Sequence, residues 1–203
     1  MPAAANEERA NAKRRASLML EIARLFRRRG YHGSAMSDIG EHVGLNKGTL
    51  YYYFPSKSDM LYAIYQEAYE RLDANIADVP KDLTPEEELV AYLKAIMRTV
   101  GAIPDVIAVY FQEHPWLETA LTEEQAQIVR AKESEFTDGL RAIIKRGVRT
   151  NAFRRVNDQL LAVQLMGMIS SLHRWHLAES EASAELVTDM IISYLYEGIL
   201  PQR

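Results

Sequence analysis

Residues 46–57 read NKGTLYYYFPSK. Three adjacent tyrosines precede Phe54, and a lysine stands on either side. Neighbouring residues on a helix point ~100° apart, so no helix buries three of them on one face. Leu50 and Phe54, at i and i+4, make the inward stripe. Lys47, Thr49, Tyr51, Tyr52 and Tyr53 are left with polar atoms able to reach outward. The phenols need a partner there, or water.

The preceding stretch, SAMSDIGEHVGL at 34–45, completes a pattern. Ile39 and Val43 are again i and i+4 and pack inward. Gly44 allows the left-handed turn that joins two short helices, and Leu45 plugs that turn. Asn46 is placed to cap the second helix. Two short helices at ~36–43 and ~47–53 with this spacing have the grammar of a helix-turn-helix.

Outward from this motif the chain reads as helix throughout. A basic amphipathic helix over ~7–29 carries Leu18, Ile22, Leu25 and Phe26 on its apolar side and stops at Gly30. Ser56, with Asp59 three residues on, starts a long helix that runs to about Ala77. Val79-Pro80 begins a connector. Thr84-Pro85-Glu86-Glu87 is a helix start with an N-cap, a proline at the first position and a glutamate at the third. That helix ends near Gly101. Pro104 opens a short helix that stops before Pro115. Thr122 caps a helix to about Gly147, Asn157 caps one to about Ala178, and the last covers ~183–198. No internal repeat is present.

Charge is uneven along the 203 residues. Residues 1–57 hold ten Lys/Arg and five Asp/Glu, whereas the remainder holds fourteen and twenty-three. A basic first quarter on an acidic chain of net charge −4 points that quarter towards a polyanion. There is no cysteine, which removes disulfides, thiolate catalysis and cysteine metal sites. The N-terminus lacks an apolar leader, and no apolar run approaches the ~20 residues of a membrane span. A cytoplasmic protein without membrane contact is expected.

The stretch GYHGSAMSDIGEHVGLNKGTLYYYFPSKSDML resembles the DNA-binding domain of the TetR/AcrR family of bacterial transcriptional regulators. The turn glycine, the G-T-L-Y-x-Y-F block and the trailing lysine occur together at that family's spacing, over roughly residues 16–62. The resemblance implies an all-α chain. Residues 1–56 would form a three-helix helix-turn-helix domain, and 57–203 a helical ligand-binding and dimerisation domain. It implies a homodimeric repressor that binds a palindromic double-stranded DNA operator and is released by a small hydrophobic ligand. On this resemblance the second motif helix lies in the major groove. Thr49 and Tyr52 match positions that approach bases and phosphates. Tyr51 and Tyr53 match positions that meet phosphates or brace the helix, and Lys57 matches a phosphate-binding lysine. Lys47 contacts phosphate, and Gly48 lies in the same helix. Lys13, Arg14 and Arg15 would add an arm. The chain departs from the family at Ala35, where a Ser or Thr is common, and Ser34 or Ser37 is expected to supply that hydroxyl. It departs also at Gly40, where an Ala is common.

The ligand domain offers two apolar stretches with polar insertions, as a pocket requires. IPDVIAVYFQEHPWL contributes Val106, Tyr110, Phe111, His114 and Trp116. LLAVQLMGMISSLHRWHLA contributes Met166, Ser170, Arg174 and Trp175, and its small residues also suit a helix–helix dimer face. GMISSLHRWH resembles a block in acyl-CoA-responsive members of the family. It departs from the steroid-linked ones, which carry Arg and Trp where Met166 and Ser170 stand. A CoA thioester needs an apolar tunnel and cations, and Arg146, Arg149, Arg154, Arg155 and Arg174 are available. The competing reading is an efflux regulator that meets cationic or aromatic drugs with a carboxylate, for which Glu113 is the candidate. His173 and His176, with Glu179, have a spacing that could hold a metal, but beside Trp175 they read as packing. No nucleophile–base order, P-loop or dinucleotide fingerprint is present, so neither an enzyme nor a cofactor is expected.

Overall fold

The computed structural model describes residues 2–171 and 184–199. Among these the protein is helical, with no strand. The helices are α1 (Pro2–Arg29), α2 (Met36–Val43), α3 (Lys47–Tyr53), α4 (Lys57–Ala77), α5 (Pro85–Ala102) and α6 (Pro104–Glu113). A 3₁₀ turn at His114–Trp116 follows, then α7 (Leu117–Ala120), α8 (Glu123–Arg149), α9 (Asp158–Ser171) and α10 (Ala184–Ile199). Helix α1 starts earlier than its apolar stripe, at Pro2, because the alanine-rich lead-in is strongly helix-forming.

The caps explain most of the boundaries. Ser56 Oγ accepts the Asp59 N–H at 3.1 Å and donates to the Asp59 carboxylate at 2.7 Å. Thr84 and Glu87 cap each other reciprocally at the start of α5, beside Pro85. Thr122 and Gln125 do the same for α8. Asn157 Oδ1 accepts the Leu160 N–H at 2.9 Å ahead of α9. Each cap satisfies amide groups that a helix start leaves without an intrahelical partner.

The chain forms two compact units. The first comprises residues 1–68 and 105–126, and so joins α1–α3 and the opening turns of α4 to α6 and α7. Its core is built from Leu18, Ile22, Phe26, Ile39, Leu50, Phe54 and Ile64, all buried. Asp105 takes Arg27 at 2.8 Å and Arg24 at 3.5 Å. The Tyr31 N–H donates to Glu113 at 3.0 Å, and its hydroxyl donates to the Ala120 carbonyl at 3.1 Å.

The second unit comprises residues 69–104 and 127–203. Tyr69 stacks on Phe136, and the Tyr92 hydroxyl donates to the Phe136 carbonyl at 3.0 Å. Helix α10 packs on α5, where the Tyr196 hydroxyl reaches the Glu86 carbonyl at 2.5 Å. The Phe153 ring lies where a side chain at Gly147 would stand, so α8 and the loop after it approach more closely there than an alanine allows.

Candidate nucleic-acid interface

Helix α2 ends at Gly44, whose φ of 68° is the left-handed conformation a turn needs. Leu45 N–H then returns to the Gly40 carbonyl at 2.9 Å. A Cβ on Gly40 would lie 3.0 Å from the Leu45 carbonyl, so the glycine does permit a close approach of this turn. Asn46 caps α3 as its position predicts: its Oδ1 accepts the Thr49 N–H at 2.9 Å and the Thr49 hydroxyl at 3.1 Å. Leu50 and Phe54 are fully buried. The opposite side of α3 is thereby fixed outward.

That outward side separates the three tyrosines. Tyr52 is 69% exposed and Tyr51 38%. Lys47 Nζ lies 5.8 Å from the Tyr51 ring centroid, which holds a cation beside a phenol on the same face. Tyr53 is half-buried, and its hydroxyl donates to Asn11 Oδ1 at 3.4 Å. Asn11 Nδ2 in turn donates to the Tyr52 hydroxyl at 3.2 Å. Gly48 is exposed on the first turn, and Thr49 is half-buried with its hydroxyl proton committed to Asn46.

Two residues of α1 brace this face, and of these the sequence pointed only to Arg15, for another task. Asn11 orients two of the phenols. Arg15 donates to the Tyr53 carbonyl at 3.4 Å, with its guanidinium 4.8 Å from the Phe54 ring centroid. Arg15 therefore ties α1 to the end of α3, a different task from an arm contact. The signal was present: Asn11 and Arg15 continue the helical register of Leu18, Ile22 and Phe26 towards the N-terminus.

The serines behave differently from the expectation at Ala35. Ser34 is 1% exposed and donates its hydroxyl to the Gly30 carbonyl at 2.8 Å. Ser37 is exposed and reaches only the neighbouring Asp38 carboxylate, at 3.5 Å. Neither supplies the missing cap hydroxyl. Only the other half of the cap forms, with the Ala35 N–H donating to Asp38 at 3.1 Å. Lys57 sits with its ammonium 4.3 Å from the Tyr31 ring centroid. Burial pushes its pKa down, against the nearby Glu113 carboxylate, which pulls it up.

The ligand candidates fall in separate places. Val106 is fully buried, and Tyr110 and Phe111 are half-buried with their rings edge to face. His114 is exposed, and Trp116 stands at the surface, 58% exposed, with His32 edge-on to it. All five belong to the first compact unit. Met166 and Ser170 are half-buried on α9 in the second, where Ser170 donates to the Gly167 carbonyl at 2.9 Å. Arg174 and Trp175 lie outside the described residues, as do His173, His176 and Glu179. Among the described residues no group of acidic or histidine side chains could hold a metal ion, and no helix is long and apolar enough to cross a membrane.

A glycine-turned pair of short helices, with the second helix presenting phenols and a lysine outward, defines a helix-turn-helix protein. Residues 19–64 match the family model of bacterial regulatory proteins of the tetR family, and residues 82–199 match the tetracyclin repressor-like C-terminal domain. The chain belongs to the tetR family of transcriptional regulators. It is 23% identical to the HTH-type transcriptional repressor KstR2 of Rhodococcus jostii, over 98% of this chain and 97% of that one. The TetR family transcriptional regulator PfmR from Thermus thermophilus superposes with a TM-score of 0.82 at 26% identity, covering 92% of this chain and 99% of that one. AibR, solved with isovaleryl coenzyme A and operator DNA, shares the fold with a TM-score of 0.79 at 21% identity, over 89% and 97% of the two chains.

Proposed function

We propose that the protein is a ligand-responsive, homodimeric transcriptional repressor that binds a palindromic operator and leaves it when it binds an acyl-CoA or a related hydrophobic carboxylic metabolite. The observation that carries this is the outward face of α3, where Lys47, Tyr51 and Tyr52 stand exposed on a helix fixed from behind by Leu50 and Phe54. Residues 1–56 serve as the DNA-binding domain and 57–203 as the ligand-binding and dimerisation domain. Tyr52 and Thr49 approach bases and the nearby backbone. Lys47, Tyr51 and Lys57 meet phosphates, and Tyr53 braces the helix.

The dimer is supported by the second compact unit. Six of the ten large apolar side chains left exposed among the described residues lie on α9 and α10: Leu160, Val163, Met168, Leu186, Met190 and Tyr194. They follow helical spacing on each helix, and a contiguous face of this kind is normally covered by a partner. A two-fold pairing of identical faces would match two operator half-sites. The acyl-CoA class is supported by what one structural neighbour binds: AibR was solved with isovaleryl coenzyme A. The efflux reading is less favoured, because the Glu113 carboxylate it would use is buried and already accepts the Tyr31 N–H.

The test is fluorescence anisotropy on the intergenic DNA beside the protein's own gene, at stated salt, with acyl-CoAs and cationic dyes titrated in. Competitor-resistant binding that only acyl-CoAs release is expected. Release by dyes alone would replace this reading with the efflux one.

A further inference from the structure

Within the second compact unit, the end of α4, the start of α5 and the last turns of α8 enclose a cleft of about 630 Å³. That volume lies in the range of small-molecule sites. Its floor is apolar, from Ile76, Val79 and Ile143. Its rim is cationic, and the cations come from two separate stretches of chain. Lys81 stands on the α4–α5 connection, and Lys145, Arg146 and Arg149 stand on α8.

Glu88 is the carboxylate that lines the cleft, and it is ion-paired with Arg146. Asp158 feels Lys145, but it is held by Arg141 at 2.6 Å. Among the described residues no ion pair takes up Lys81 or Arg149.

A helix C-terminus favours cations, which accounts for Arg146 and Arg149 as residues of the last turn of α8. It does not account for Lys81, which lies on another segment. Nor does it account for cations stacked at i, i+3 and i, i+4 within α8, which repel one another. Cations that converge from two segments over an apolar floor repel one another, and an anion placed between them relieves that repulsion.

We propose that this cleft binds the phosphate-bearing end of a small organic ligand. Lys81, Lys145 and Arg149 hold the phosphates, Glu88 holds Arg146 in place beside them, and the apolar floor takes the organic part. The planar fork of Arg149 suits a phosphate by two parallel N–H donors, and the lysines act as mobile point charges. The assignment rests on the ligand-responsive reading above and deepens it. It separates arginines that the sequence leaves equivalent, because Arg154 lines an apolar groove of α9 and α10 instead.

The test uses the full chain and adenosine 3′,5′-bisphosphate as probe, by isothermal titration calorimetry. Binding that weakens with added salt is expected, and Lys81→Glu and Arg149→Glu should each weaken it roughly tenfold or more. Both side chains are exposed, so circular dichroism and ligand-free DNA affinity should match the unmodified protein. Nucleotide binding that is absent, or equal in all three proteins, overturns the assignment. Acyl-CoA titrated against the DNA complexes separates the two readings. Release at the same concentration from all three proteins keeps the acyl-CoA reading and removes the cleft from it. Cleft-dependent nucleotide binding with no release by any acyl-CoA keeps the cleft and removes the acyl-CoA reading.

Discussion

Two surfaces of this protein expose large side chains, and they differ in what surrounds them. On α3, Tyr51 and Tyr52 stand beside Lys47, with Asn11 hydrogen-bonded to the Tyr52 hydroxyl. On α9 and α10, Leu160, Val163, Met168, Leu186 and Met190 are exposed together with Tyr194, and no cation lies among the exposed residues of either helix. A phenol with a cation beside it fits a polyanion, since the ring packs while the hydroxyl and the charge reach out. An aliphatic face fits only another apolar face, because water gains nothing from it. Exposure alone therefore says little about a partner. The neighbouring charges decide which partner a face can take.

The largest effect that could break this comparison is on the aliphatic face. Replacing Leu160 and Met190 together by Asp would place charges where the proposed dimer buries methyl groups. An uncompensated buried charge costs roughly 3–5 kcal/mol, and a two-fold interface meets each substitution twice. Analytical ultracentrifugation should find a folded monomer, and operator affinity should fall with it. A dimer of unchanged strength would show that this face does not pair subunits.

Tyrosine supplies the next contrast, because phenols also lie inside the second unit. Tyr92 is buried, its hydroxyl donates to Phe136, and burial together with Glu135 and Asp73 pushes its pKa from 10 to about 12. In the unfolded chain Tyr92 loses its proton first. Unfolding then releases a proton, and stability falls as pH rises from 10 to about 12. The loss amounts to roughly 2–3 kcal/mol over that window. Denaturant unfolding at several alkaline pH values should show this slope, and Tyr92→Phe should flatten it. A slightly smaller effect is expected at Gly147. Gly147→Ala would drive its methyl into the Phe153 ring and should cost about 1–3 kcal/mol by thermal unfolding, without touching either exposed face. An unchanged Tm would mean that Phe153 moves aside freely.

Legibility differs between the two regions for a physical reason. The helix starts at Ser56, Thr84, Thr122 and Asn157 were readable because a cap acts over three residues. The turn at Gly44 and the buried stripe of α3 were readable for the same reason. What was not readable acts over long separations. The bond from Tyr31 N–H to Glu113 spans 82 residues, and it helps join α6 and α7 to the compact unit of the short helices. No local pattern announces it. The reach of Arg15 to the Tyr53 carbonyl, 38 residues away, is legible only in part: the register of α1 puts Arg15 on the side of Leu18 and Ile22, but nothing local names its partner. The tyrosines mark the limit within one motif. Periodicity shows that they cannot all be buried, but only packing shows that Tyr52 faces out and Tyr53 is held by Asn11.

The smallest effects are the ones that sharpen the reading of α3. Tyr52→Ala should weaken operator binding by up to about 1.5 kcal/mol, the net worth of one hydrogen bond, or roughly tenfold. Tyr52→Phe keeps the ring and removes only the hydroxyl, so it measures what the hydroxyl adds. Lys47→Ala should weaken all sequences alike and lower the salt slope of binding by about one. The two substitutions then differ in kind. If Tyr52 reads the operator, its loss narrows the gap between specific and competitor DNA, whereas the loss of Lys47 leaves that gap in place. If both substitutions change only the salt slope, the outward face of α3 is an electrostatic surface, and sequence selection resides elsewhere on the first unit.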